Sequence, residues 1–158
     1  MPFIRLETKL PSTPEAAFEL SLSIDAHTSS MSGSGERAVA GVTSGGMTLG
    51  DTVTWRARHF GFPFTMTSRI SAHEAPDRFV DEQVTGPFAL WHHEHLFEGT
   101  ADGVLMVDVV EFASPAGWLG RLVDRLVLTR YMTHLLEQRN AWLAEELTRR
   151  GRRSTLRT

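Results

Sequence analysis

Five residues whose side chains could do chemistry sit inside otherwise apolar segments: His59, Asp81, His93, His95 and Asp108. Imidazoles and carboxylates together can run general acid–base catalysis, hold a polar ligand or coordinate a metal. His93 and His95 are two residues apart, so in a strand they face the same side. With no cysteine in the chain, a third metal ligand would have to be His59, Asp81 or Asp108. The glycine, acid and final histidine of a barrel oxygenase motif are not placed around them, so no metal and no other cofactor is expected. Leaving such groups buried and unpaired costs roughly 1–3 kcal/mol each, and more for a charge. They must pair with one another, with water or with a ligand. The two readings are an internal His–Asp network that braces a sheet and the polar end of a binding pocket.

The elements that must position these groups are legible from periodicity. Phe3 to Leu10 alternates as a first strand, with Ile4, Leu6 and Leu10 on one side. Ser12 or Thr13 then caps a helix with Pro14 in its first turn and an apolar spacing that runs out near Asp25. A second short helix through His27 and Met31 precedes the polar break at 29–35. From Glu36 the composition turns to Val, Thr, Phe and Trp, and strands are expected near 36–43, 50–60, 63–73, 78–85, 88–98 and 103–113. Their connections are too short for parallel crossovers, so the sheet is antiparallel with seven strands. After Pro115 and Gly117, an apolar stripe through Trp118, Leu119, Leu122, Val123, Leu126, Tyr131, Leu135, Leu136, Trp142, Leu143 and Leu147 predicts a helix of roughly 45 Å. A stripe that long has one surface to cover, a face of the sheet, and a twisted sheet folded round one helix encloses space.

Parity then assigns the lining of that space. Val53, Trp55, Ala57 and His59 share one face, as do Phe64, Met66 and Ile70, then Trp91, His93, His95 and Phe97, and finally Met106, Asp108 and Val110. On the fifth strand Phe79, Asp81 and Gln83 oppose Val80, Glu82 and Val84, and hydrophobicity alone does not separate the two sides. The expected ligand contacts are Trp55, His59, Phe64, Met66, Asp81, Trp91, His93, His95, Met106 and Asp108, with His59, His93 and Asp108 as candidates for acid–base catalysis.

Composition bounds the function. The chain has 158 residues, ordinary globular proportions of apolar (41%) and charged (22%) residues, and no cysteine for a disulfide framework or thiolate site. One domain over 1–148 is expected, followed by an Arg-rich tail over 149–158 in which Gly151 ends the helix and the rest is solvated. That tail holds five Arg and no acid, leaving 11 basic against 19 acidic groups in the body, so no nucleic-acid partner is expected. The N-terminus lacks a signal-peptide pattern, and Val104–Phe112 is too short and too charged to span a bilayer, so the expectation is a cytoplasmic protein without a membrane span. There is no Gly-x-Ser-x-Gly turn and no phosphate-binding glycine loop.

The order of strand, short helices, six antiparallel strands and long C-terminal helix resembles the helix-grip fold of the START and polyketide cyclase/dehydrase superfamily (SRPBCC). The segments Glu36–Gly41, Gly50–Gly61, Phe79–Phe88 and Trp91–His95 are similar to its bacterial ligand-binding subgroup. The resemblance covers nearly the whole chain except the Arg-rich end. It implies an α+β domain with a deep cavity for a small hydrophobic or aromatic molecule, lipid-like or polyketide-like. The superfamily includes carriers, sensors and enzymes, so the alternative is a cofactor-independent aromatase/cyclase or dehydrase using His/Asp acid–base chemistry. A homodimer is left open.

Overall fold

A computed structural model describes residues 2–115 and 117–156, without the side chains of Leu119 and Arg121. Strand β1 (Phe3–Leu10) leads into α1 (Pro14–Ser21), α2 (Ile24–Ser30) and a short 3-10 turn. Then come β2 (Arg37–Gly41), β3 (Thr52–His59), β4 (Phe62–Glu74), β5 (Arg78–Thr85), β6 (Leu90–Thr100) and β7 (Gly103–Ala113). The chain ends in α3 (Gly117–Val123), a π-helical turn (Asp124–Leu128) and α4 (Thr129–Thr155). The helix starts follow the local chemistry: Thr13 Oγ1 accepts from the amide of Ala16 and Ser23 Oγ from that of Ala26, each satisfying a free first-turn donor.

The seven strands form one antiparallel sheet in the order β1-β7-β6-β5-β4-β3-β2, a meander closed by the first strand pairing with the last. Register shifts at Ala38/Ala40 and at two points where β4 meets β5 bend the sheet, as bulges do. Gly103 sits at φ 142° in the β6–β7 turn, where a Cβ would fall 2.3 Å from the carbonyl oxygen of Leu10. That close approach locks the hairpin against the end of β1.

Helix α4 lies across the inner face, packed on β1 and against α1 and α2. Leu143 and Leu147 join Leu10, Phe18, Val104 and Met106 in one buried cluster, and Leu136 joins Ile4, Trp91, Val110 and Phe112 in another. Each such side chain contributes about 1.5–3 kcal/mol on burial. Phe18 meets Phe79 and Phe97 edge-on at 5.5 and 5.6 Å, tying α1 to the sheet.

Two expectations for the helix are corrected. The stripe is not buried along its length: Leu136, Leu143 and Leu147 are buried, whereas Trp118, Leu122, Val123 and Leu126 are exposed. The π turn, which itself contains Leu126, adds a residue to one turn and rotates Trp118, Leu122 and Val123 before it by roughly 100° relative to α4. Leu119 lies outside the described side chains. Gly151 does not end the helix, which continues to Thr155 with residues 149–156 exposed. A single glycine costs about 1 kcal/mol in a helix, too little to stop one already running. Among the described residues no helix is long and apolar enough to cross a membrane.

Candidate functional site

The space between sheet and helix is a cavity of about 500 Å³. Its sheet wall is made by alternate residues: Val53, Trp55, Ala57 and His59 of β3, Phe64, Met66, Ser68 and Ile70 of β4, Phe79 and Asp81 of β5, and Trp91, His93 and His95 of β6. The opposite wall includes Val127, Tyr131, Leu135, Leu136 and Arg139. Eight of the ten expected contact residues therefore lie on the wall. Met106 and Asp108 do not: both are fully buried behind it. Their strand, β7, lies next to β1, the strand on which α4 packs, so the inward row there is covered by helix instead of open space.

Asp108 is the hub of a buried inner cluster. Its Oδ1 lies 2.9 Å from His93 Nε2, 2.9 Å from His95 Nδ1 and 3.4 Å from Arg139 Nη1, and its Oδ2 accepts from Asn140 Nδ2 at 2.6 Å. The approach of His95 Nδ1 is too bent for a hydrogen bond, and that nitrogen is buried without another partner. Asn140 also donates to Thr8 Oγ1 and accepts from Arg139 Nη1, each at 3.0 Å, so the helix and β1 share the network. On the cavity side, Asp81 Oδ2 lies 3.2 Å from His95 Nε2 and 3.5 Å from His93 Nδ1, while its Oδ1 accepts from Trp91 Nε1 at 3.2 Å. The two imidazoles lie against each other, tilted by 36° with centroids 3.7 Å apart, and Phe79 stacks on His95 at 4.1 Å.

Burial disfavours every charge in this cluster, and the neighbours decide the outcome. For Asp81 burial pushes the carboxyl up, but the His95 hydrogen bond, the two imidazoles and the Trp91 indole together outweigh it and hold it at about 2. Asp108 is held well below the usual carboxylate range, its burial overcome by His93, His95 and Arg139. His93 is lowered by burial and by the neighbouring His95, against the pull of both carboxylates.

A second polar group lies toward the open end. His59 Nδ1 bonds Tyr131 Oη at 2.7 Å, and His27 Nε2 bonds Glu36 Oε1 at 3.0 Å. His27 lies over the indole of Trp55, with centroids 4.4 Å apart. Burial raises the Glu36 carboxyl, and the His27 charge and hydrogen bond, with a lesser contribution from His59, bring it below its ordinary value. Burial lowers His59, opposed by Glu36. The structure does not bring His59 to His93, Asp81 and Asp108. His59 pairs with Phe62 of β4 and Asp81 with Ile70, eight residues further along that strand, or roughly 26 Å at 3.3 Å per residue.

Sequence reasoning missed Arg139 and Asn140. The available signal was their position one turn after Leu136 and one before Leu143, where two polar residues break the apolar stripe. Glu36 and His27 carry no such mark, because one ends a loop and the other sits in a short helix of mixed polarity. The inner cluster can orient an imidazole and present a carboxylate to a bound molecule, which suits hydrogen bonding to a carbonyl or hydroxyl and proton transfer at the same atoms.

No protein-family model and no curated protein matches the chain. Solved structures do match in shape. TTHA0849 of Thermus thermophilus superposes with a TM-score of 0.75 at 18% identity, covering 93% of this chain and 97% of that one. The Zhui aromatase/cyclase of Streptomyces sp. R1128 gives 0.76 at 14% identity, with 94% of each chain covered. Ara h 8.0201 gives 0.62 at 12% identity, covering 90% and 97%. The chain thus shares with these structures the helix-grip fold: seven antiparallel strands wrapped round a long C-terminal helix, with short helices after the first strand.

Proposed function

We propose that this protein binds a small hydrophobic or aromatic molecule, lipid-like or polyketide-like, between the sheet and α4. The observation that carries the reading is a cavity of about 500 Å³ walled by Trp55, Met66, Ile70, Phe79, Trp91 and Leu136, with a histidine–carboxylate group on two parts of its wall. That volume falls in the range of small-molecule sites, which pair an apolar wall with a few orienting polar groups. Asp81, His93 and His95 at the inner end would fix a carbonyl or hydroxyl, and His59 with Tyr131 a second polar atom nearer the opening. Native mass spectrometry of the purified protein tests this. A bound hydrophobic molecule recovered chemically unchanged supports binding, and a protein that takes up none of a panel of fatty acids and polycyclic aromatics contradicts it.

The second reading, an aromatase/cyclase or dehydrase, is favoured by one observation: His93 is held by a buried carboxylate on one side and faces the cavity on the other. A neutral imidazole so oriented is a general base, with Asp108 positioning it. Turnover of a polyketide-like substrate without added cofactor, lost in His93→Gln while binding persists, would replace the carrier reading with this one.

A further inference from the structure

Four nitrogen–oxygen approaches link the two inner imidazoles to the two carboxylates: His93 Nε2 and His95 Nδ1 to Asp108 at 2.9 Å each, His95 Nε2 to Asp81 at 3.2 Å and His93 Nδ1 to Asp81 at 3.5 Å. Two neutral imidazoles carry only two N–H groups between them. Whichever tautomers are chosen, two ring lone pairs then face carboxylate oxygens. The buried His95 Nδ1, lacking a hydrogen bond although 2.9 Å from Asp108, shows the conflict directly. Charge leaves the same remainder. Asp81 and Asp108 place two negative charges in the cluster, and among the described residues Arg139 supplies the one fixed positive charge there.

A cation on the Asp81 side removes both problems. With each N–H on the Asp108 side, the lone pairs of His93 Nδ1 and His95 Nε2 are left beside Asp81 Oδ2, and one ligand atom from each of the three residues lies within 4.8 Å of the other two. Metal–ligand bonds of roughly 2.0–2.2 Å at tetrahedral angles put neighbouring ligand atoms about 3.3–3.6 Å apart, close to the two separations from Asp81 of 3.2 and 3.5 Å. Asp108 then takes the place that a carboxylate takes behind metal-bound histidines, accepting from His93 Nε2 and so fixing that ring's tautomer, with His95 Nδ1 2.9 Å away. Arg139 and Asn140 hold Asp108 in turn.

We propose that Asp81, His93 and His95 form a site for a divalent first-row transition metal, set in the inner wall of the cavity with Asp108 behind both imidazoles. Two imidazoles and one carboxylate favour a zinc- or iron-like ion over Mg²⁺ or Ca²⁺, which take oxygen ligands. Three protein ligands leave coordination positions toward the cavity, where a carbonyl, enolate or hydroxyl would bind. The inference stands apart from the identity of any apolar ligand.

The test is titration of the full-length, chelator-stripped protein with Co²⁺, followed by its visible absorption and by Zn²⁺ competition. The expected result is uptake of one equivalent, displaced by Zn²⁺ and indifferent to Mg²⁺ and Ca²⁺. Asp81→Asn, which keeps an acceptor for Trp91, should weaken uptake at least about tenfold, and Asp108→Asn by about 10–100-fold. His95→Gln should abolish it, and where that variant fails to fold the Asp81 variant carries the test. Failure to take up Co²⁺ or Zn²⁺ stoichiometrically overturns the proposal. So does unchanged affinity in an Asp81→Asn protein that melts like the parent, which would place the ion elsewhere.

Discussion

The cavity has a histidine–carboxylate pairing at each end, and the two are built differently. At the inner end the side chains of His93 and Asp108 are 6% and 0% exposed, and β1, β5, β6, β7 and α4 all contribute. Toward the opening, His27 is 28% exposed and Glu36 12%, and the partners come from a short helix and the residue just before β2. Beside them His59 closes on Tyr131 next to the exposed Phe60. Equal chemistry in unequal settings has unequal consequences. Inside, each polar group is held by several others, so the network fixes geometry. Outside, single hydrogen bonds hold the groups and water can replace either partner.

The sharpest way to break this contrast is Asp108→Ala. It strips the acceptor from His93, Asn140 and Arg139 at once and leaves a buried guanidinium unpaired, so a loss of about 3–5 kcal/mol is expected in urea denaturation. A loss below about 1 kcal/mol would mean that the inner cluster is no more constraining than the outer one.

Next is the acid response of Glu36. Its carboxyl is held below the ordinary value in the folded protein, so the unfolded chain takes up the proton first as pH falls. The stabilisation is complete above the ordinary glutamate value and is lost as pH drops through the folded one. Melting temperatures measured from pH 6 to pH 3 should fall less steeply for Glu36→Gln than for the parent. A parallel pair of curves would show that His27 does not engage Glu36 in solution.

A smaller effect is expected from Tyr131→Phe, which removes one half-exposed hydrogen bond to His59 and should cost about 0.5–1.5 kcal/mol. Smallest of all is truncation after Thr148. Residues 149–156 are exposed, and Arg149 and Arg150, both exposed, pair with Glu146. Such pairs are worth about 0–1 kcal/mol, so the melting temperature should shift by a few degrees at most.

The same contrast marks how far the sequence can be read. Strand parity places Trp55, Phe64, Met66, Trp91, His93 and His95 on the cavity wall, because an alternating strand with one apolar face allows one register. Each strand also falls within two residues of its expected span. Parity says which face a residue shares but not what covers that face. For that reason Met106 and Asp108, on the same side, lie behind the wall. Nor does it say how far along a bent sheet two residues fall, and it groups His59 with His93 across a distance no hydrogen bond spans. The third metal ligand meets the same obstacle: Asp81 is one of three candidates by residue type, and the register that sets it opposite His93 is a pairing between two strands that neither strand's own alternation shows. The π turn, before or within which the four exposed residues of the stripe fall, leaves no mark in apolar spacing.

Tryptophan emission tests the central claim most directly. Trp55 and Trp91 line the cavity, whereas Trp118 is exposed and Trp142 packs against the core outside it. Titration with 2-naphthol should quench the emission saturably with one equivalent bound, and the quenching should fall in Trp55→Phe and in Trp91→Phe and nearly vanish in the double variant. Undiminished quenching in a folded double variant would place the bound molecule outside the sheet–helix cavity and contradict the account.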